Sequence, residues 1–126
     1  MSLALVVDDS MLIRHTVCRY LEERGWNVEA VTDGAEAVLA LQHLRPNLIV
    51  TDMMMPRMTG SELITELKKH PETAAIPIII LCGRNSEREA EANENRAECA
   101  IYKDIDIVNQ LNQALAIAGV KPAVTS

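Results

Sequence analysis

The feature that most constrains this chain is a set of short apolar runs, each broken off by a polar residue or a cysteine. Leu3-Ala4-Leu5-Val6-Val7 stops at Asp8-Asp9, Leu48-Ile49-Val50-Thr51 at Asp52, and Ile78-Ile79-Ile80-Leu81, introduced by Pro77, at Cys82. Such a run, without alternation, suits a strand covered on both faces, as in a parallel sheet. Between the runs the period changes. After Ser10, the residues Ile13, Val17, Tyr20 and Leu21 fall at helical spacing, and Gly25 is a helix stop. Asn27 to Val31 reads as a strand. Asp33 is placed to cap a helix carrying Ala37, Val38, Leu41 and Leu44, which Pro46 ends. Gly60 to His70 predicts a helix with Leu63, Ile64 and Leu67 inward. Ala100-Ile101-Tyr102 predicts a short last strand, and Ile105 to Ala118 a last helix carrying Ile105, Val108, Leu111, Leu115 and Ile117. Strand and helix thus alternate with short connections, the pattern of an α/β, doubly wound, five-stranded parallel sheet with helices on both faces.

One segment fits this pattern poorly. Residues 84–96 read RNSEREAEANENR, with Ala90 and Ala92 as the only apolar side chains. A helix there has almost no face to bury, so a marginal, solvated helix is expected. The other reading is an acidic surface that a partner or a second copy covers.

Composition narrows the class. A chain of 126 residues closes one core. Twelve Lys and Arg stand against 18 Asp and Glu, a net charge of −6, which argues against a protein that binds nucleic acid by neutralising phosphates. No apolar run approaches the roughly 20 residues of a membrane span, and Met1 to Val7 is too short for a secretory signal. Cys18, Cys82 and Cys99 are odd in number and widely spaced, which points away from zinc and disulfides and toward a reducing, cytoplasmic setting. Without a repeat or linker, residues 1–120 form one expected domain, followed by a loose tail at 121–126.

In an open α/β sheet, ligands bind beyond the C-terminal strand ends. The residues there are Asp8 and Asp9, Asp52, Cys82 and Lys103. If the first and third strands are neighbours, three carboxylates converge and repel one another. A hard divalent cation such as Mg²⁺, held by oxygen ligands, removes that cost. Lys103 adds a positive point charge suited to a phosphoryl oxygen. Together these groups suit phosphoryl transfer to an aspartate. Taken singly they have blander readings, since Asp is common after strands and Asp-Asp-Ser can simply cap the next helix.

These residues resemble the receiver domain of two-component response regulators, the chemotaxis-regulator-like, flavodoxin-like fold. The resemblance runs from about Leu3 to Gly119. It is carried by LVVDDS at Leu5 to Ser10, LIVTDMMMPRMTG at Leu48 to Gly60, IPIIIL at Ile76 to Leu81, and Lys103. It implies strand order 2-1-3-4-5 and Asp52 as phosphoacceptor. Mg²⁺ would be held by Asp8, Asp9, Asp52 and the Met54 backbone carbonyl, with Asp8 acting largely through water. Lys103 would contact the phosphoryl group, with Met53, Met54, Gly83 and Arg84 around it. The implied donor is a sensor histidine kinase or phosphotransfer protein, small phosphodonors can stand in, and the downstream protein is open. The domain itself would be a signalling domain rather than an enzyme acting on a separate substrate.

Three departures from the family pattern stand out. Cys82, a weak hydrogen-bond donor, occupies the position of the Thr or Ser that bonds the phosphoryl group when the domain switches. Ala100 occupies the position of the aromatic residue that swings inward. Asp104 follows Lys103 where the family has a cis proline, and a cis bond before a residue other than proline costs about 3–4 kcal/mol, so a trans loop is expected. Tyr102 lies on the opposite face from Ala100 by strand alternation and does not replace the lost aromatic. The chemical site is complete while both residues of the usual conformational relay are missing.

Other residues attract a functional reading less. A Cys82 thiol beside several carboxylates keeps its proton, which argues for a small-residue replacement over a redox role. Met53, Met54, Met55 and Met58 read either as a methionine surface or as packing, with Met54 and Met58 the exposed pair. His15, His43 and His70 fall on separate helices without ligand spacing and read as surface residues. Two functions remain in view, a phosphoacceptor domain and a receiver-like interaction module with a weak or absent switch. A phosphohydrolase with an aspartyl phosphate would need a second Asp where Met54 stands. No membrane or nucleic-acid contact is expected of the domain, and a homodimer is left open. The few residues after the last helix are too few for a DNA-binding domain, so the chain is expected to act alone or to be excised from a longer one.

Overall fold

The computed structural model describes residues 2–52, 60–82, 99–102 and 107–118, and of residues 60, 61, 82, 99–102, 117 and 118 the backbone alone. Five strands, β1 (Leu3–Val7), β2 (Asn27–Val31), β3 (Leu48–Asp52), β4 (Ile78–Cys82) and β5 (Cys99–Tyr102), form one parallel sheet in the order β2-β1-β3-β4-β5. Helices α1 (Met11–Glu22), α2 (Gly34–Ala40), α3 (Gly60–Lys68), α4 (Pro71–Ala74) and α5 (Ile107–Ala118) connect and cover it. The order is the one the family resemblance implies, and the doubly wound class is the one expected from the sequence pattern.

The sheet divides the apolar residues by alternation. Leu5 and Val7 of β1, Ile49 of β3, and Ile78 and Ile80 of β4 pack with Ala37, Leu41, Leu63, Ile64 and Leu67 of the α2–α3 side. The residues between them, Ala4, Val6, Leu48, Val50, Ile79 and Leu81, pack with Val17, Tyr20 and Leu21 of α1 and Leu111, Ala114 and Leu115 of α5. Both faces of the three central strands are therefore dry, which explains why their sequences run apolar without a break. The edge strand β2 is mostly exposed. Tyr20 Oη donates to Asn112 Oδ1 at 2.5 Å, tying α1 to α5, and the Arg24 guanidinium lies 3.7 Å from the centre of the Tyr20 ring.

Helix ends follow their local chemistry. Ser10 caps α1 by accepting the Ile13 N–H at 3.4 Å. At its far end the Gly25 N–H donates to the Glu22 carbonyl and the Trp26 N–H to the Leu21 carbonyl, both at 3.1 Å. This paired stop needs a left-handed residue, and Gly25 supplies it at φ 90°. Asp33 Oδ1 caps α2 by accepting the Glu36 N–H at 2.9 Å.

Five boundaries differ from expectation. Helix α2 ends at Ala40, so Leu41 is its cap and Leu44 lies beyond it. The chain there tightens into short-range bonds from Gln42 to Leu39 and His43 to Ala40, which preserve the apolar spacing without regular helix. The expected helix over Gly60 to His70 stops at Lys68 because His70 turns extended (φ −112°, ψ 126°) before Pro71, which opens the unanticipated α4. Strands β3, β4 and β5 each gain one residue, Asp52, Cys82 and Cys99. In α5, Val108 is 42% exposed while Ala114 is buried, because the inward stripe runs through Ile107, Leu111, Ala114 and Leu115. Ile105, residues 84–96 and residues 121–126 lie outside the described residues. Among the described residues, no helix is long and apolar enough to cross a membrane.

Candidate functional site

Because β1 and β3 are adjacent and parallel, with Val7 opposite Thr51, their C-terminal ends place Asp8, Asp9 and Asp52 side by side. One carboxylate oxygen from each lies within 4.8 Å of the other two. Asp8 is fully buried, Asp52 is 5% exposed, and Asp9 is exposed at the rim. On the far side of Asp52, β4 pairs Leu81 with Asp52 and ends one residue later at Cys82, itself opposite Tyr102 of β5. Four neighbouring strands thus end on the same side of the sheet, and Ala100 pairs with Ile80, one step down β5 from the Leu81–Ile101 pair.

Asp8 is held from several directions. Its N–H donates to the Val31 carbonyl of β2 at 3.2 Å, and its Oδ1 accepts the Ser10 N–H at 2.8 Å. Its carbonyl accepts a hydrogen bond from Arg14 Nη1 at 2.9 Å. The helix-capping reading of Asp-Asp-Ser is therefore also realised, by Ser10, without removing the carboxylates from the cluster. Beside Asp52, the buried Thr51 hydroxyl donates to the Asp52 carbonyl at 3.1 Å. Arg14 and Thr51 escaped the sequence reading. An arginine six residues past a strand-end Asp, one turn inside the following helix, was the available signal for the first.

The donor set fits a hard cation. Three carboxylates offer only oxygen, and two of them are buried where unscreened charges repel strongly. Lys103, Met53, Met54, Gly83, Arg84 and Asp104 lie outside the described residues, as do Met55 and Met58. His15, His43 and His70 are exposed, as expected of surface residues, but only His15 lies in a helix, since α2 ends at Ala40 and α3 at Lys68. A cleft of about 450 Å³, lined by Leu41, Arg45, Leu67, His70 and others, lies at the C-terminal ends of α2 and α3. The carboxylates lie instead at the C-terminal ends of β1 and β3, and none of them lines this cleft.

Residues 4–116 match the family model of the response regulator receiver domain. The chain belongs to that family. The receiver domain is 36% identical over 107 residues to the two-component response regulator ORR12 of Oryza sativa subsp. japonica, covering 83% of this chain and 88% of that protein. It is 38% identical over 88 residues to response regulator MprA of Mycobacterium sp. (strain KMS), covering 70% of this chain and 37% of that protein. The chain spans 37% and 38% of the lengths of MprA and of the Rhizobium meliloti phosphate regulon regulatory protein PhoB. Among solved structures it resembles the receiver domain of a signal transduction histidine kinase from Syntrophus aciditrophicus, with TM-score 0.84, 32% identity, and coverage of 100% of this chain and 98% of that one. The chemotaxis response regulator CheY4 of Vibrio cholerae is similar at TM-score 0.84 and 30% identity, over 93% of this chain and 98% of that one. Receiver domains are signalling domains that interact with histidine kinases or phosphotransfer proteins, and in general they bind Mg²⁺ at an acidic pocket.

Proposed function

We propose that this receiver domain, residues 1–120 with a tail at 121–126, takes a phosphoryl group from a histidine kinase or phosphotransfer protein onto Asp52. The observation that carries the reading is the convergence of the Asp8, Asp9 and Asp52 carboxylates within 4.8 Å at adjacent strand ends. Asp8, Asp9, Asp52 and the Met54 carbonyl would hold Mg²⁺. Bound there, the ion would neutralise charge on the phosphoryl oxygens and on the carboxylates that face them. An Asp52 carboxylate oxygen attacks the phosphorus of a phosphohistidine, the P–N bond breaks, and the ring nitrogen leaves with the electron pair. The product is an acyl phosphate, which water later hydrolyses. The burial of Asp52 beside Asp8 holds the nucleophile in one place and limits competing water. Lys103 is assigned the contact to a phosphoryl oxygen, with Met53, Gly83 and Arg84 around it. A cytoplasmic setting goes with such a donor.

Cys82 and Ala100 leave the chemistry in place and weaken the conformational response. Both sit at register positions on β4 and β5 beside the site, and neither side chain can make the hydroxyl contact or the aromatic swing of the usual relay. Beryllofluoride with Mg²⁺, a mimic of the aspartyl phosphate, tests the site. A rise in melting temperature is expected that requires both Mg²⁺ and Asp52 and vanishes in Asp52→Ala. The same rise in that variant would place the ligand elsewhere, and no rise in either protein would favour a receiver-like interaction module without the chemistry.

A further inference from the structure

Arg14 stands in the second turn of α1 and reaches back over the helix start. Its backbone N–H makes an ordinary helical bond to the Ser10 carbonyl, while its half-buried side chain donates from Nη1 to the Asp8 carbonyl at 2.9 Å. That carbonyl belongs to the peptide plane that joins Asp8 to Asp9. Turning the plane would swing the Asp9 backbone, and with it an exposed carboxylate, relative to the buried Asp8 and Asp52. The N–H and the carboxylate of Asp8 are held from the β2 side and by Ser10, so Arg14 supplies the tie on the remaining polar group of that residue.

We propose that Arg14 is a positioning residue that orients the Asp8–Asp9 peptide so that three carboxylates converge on one divalent cation; this rests on the Mg²⁺ reading above. A charge-assisted bond from a guanidinium is both strong and directional, which suits it to holding a peptide plane. Its charge pulls the other way. A fixed positive group beside the pocket repels a dication, so by charge alone the removal of Arg14 would tighten Mg²⁺ binding. Orientation predicts that removal loosens it. The two effects have opposite signs, and a binding constant separates them.

The test is calorimetric titration of Mg²⁺ into the wild type, Arg14→Met, Arg14→Gln and Arg14→Lys, at a temperature where circular dichroism shows all of them folded. Arg14→Met keeps an apolar stem of similar length and removes donor and charge. We expect Arg14→Met and Arg14→Gln to lose about tenfold in Mg²⁺ affinity, the usual effect of removing a group that orients a metal ligand. Arg14→Lys, which keeps a charged donor, recovers part of that loss. Unchanged or tighter binding in Arg14→Met or Arg14→Gln overturns the proposal. A wild type that binds no Mg²⁺ overturns the metal reading itself, which is a separate outcome.

Discussion

Neutralising the phosphoacceptor position should stabilise the metal-free protein. Asp8 and Asp52 are buried, and their facing carboxylate oxygens lie within 4.8 Å. Two unit charges at that distance repel by about 3.5 kcal/mol at an effective dielectric near 20. The separation is shorter than the Debye length of about 8 Å at physiological ionic strength, so added salt leaves much of the repulsion in place. Asp52 has further interactions in the folded chain, and the loss of one charge-assisted bond to its carboxylate would cost about 1.5–3 kcal/mol. Asp52→Asn should therefore gain about 0.5–2 kcal/mol in EDTA, or about 2–8 °C in melting temperature for a domain of this size. Mg²⁺ should narrow the difference. At ten times its dissociation constant the ion stabilises the wild type by about 1.4 kcal/mol, and most of that gain is absent from the variant. Urea unfolding of both proteins, each with EDTA and with Mg²⁺, measures all four values. If Asp52→Asn is less stable than the wild type in EDTA, the carboxylates do not strain the fold and the reasoning fails.

Ile80, fully buried among Leu5, Val7, Ile49 and Leu63, should lose about 2–5 kcal/mol on Ile80→Ala, read by urea unfolding; a loss below half a unit would mean that the site collapses around the gap. Burial raises the Cys18 thiol above its ordinary 9.0, with Glu22 adding to the rise and Arg14 opposing it. The folded state therefore holds this proton longer than the unfolded chain, so the contribution is whole below pH 9 and falls away as pH climbs through the folded value. Cys18→Ala should flatten the decline in stability between pH 8 and pH 10, and an unaltered decline would assign it to other groups. Cys82→Thr should leave phosphorylation of Asp52 intact and enlarge the change in amide exchange of β4 and β5 on activation; a full rearrangement already present in the wild type would contradict the missing relay.

The parts of the fold legible in the sequence are those where one physical demand dominates. Residues 3–7, 48–51 and 78–81 are apolar throughout because both faces of the sheet are covered, and the strand starts and the carboxylate positions followed from that alone. Asp8, Asp9 and Asp52 were visible because strand ends are where the chain must meet a ligand. Endings were harder to see. The stop of α3 at Lys68 depends on the extended conformation of His70 before Pro71, and the end of α2 at Ala40 on a change of hydrogen-bond spacing that leaves the apolar pattern unaltered. The exposure of Val108 depends on which way α5 is rolled against β5, a tertiary choice between two apolar stripes on one helix. Arg14 was hidden for another reason, since a side chain bonding a backbone carbonyl six residues earlier leaves no periodic trace.

Asp52 as the phosphoryl acceptor is the central claim. Intact-mass spectrometry after incubation with acetyl phosphate, with Mg²⁺ and with EDTA, beside Asp52→Ala, tests that claim directly. A single phosphoryl adduct is expected that needs Mg²⁺ and is absent from the variant. An adduct that persists in Asp52→Ala, or no adduct together with no beryllofluoride binding, would contradict it.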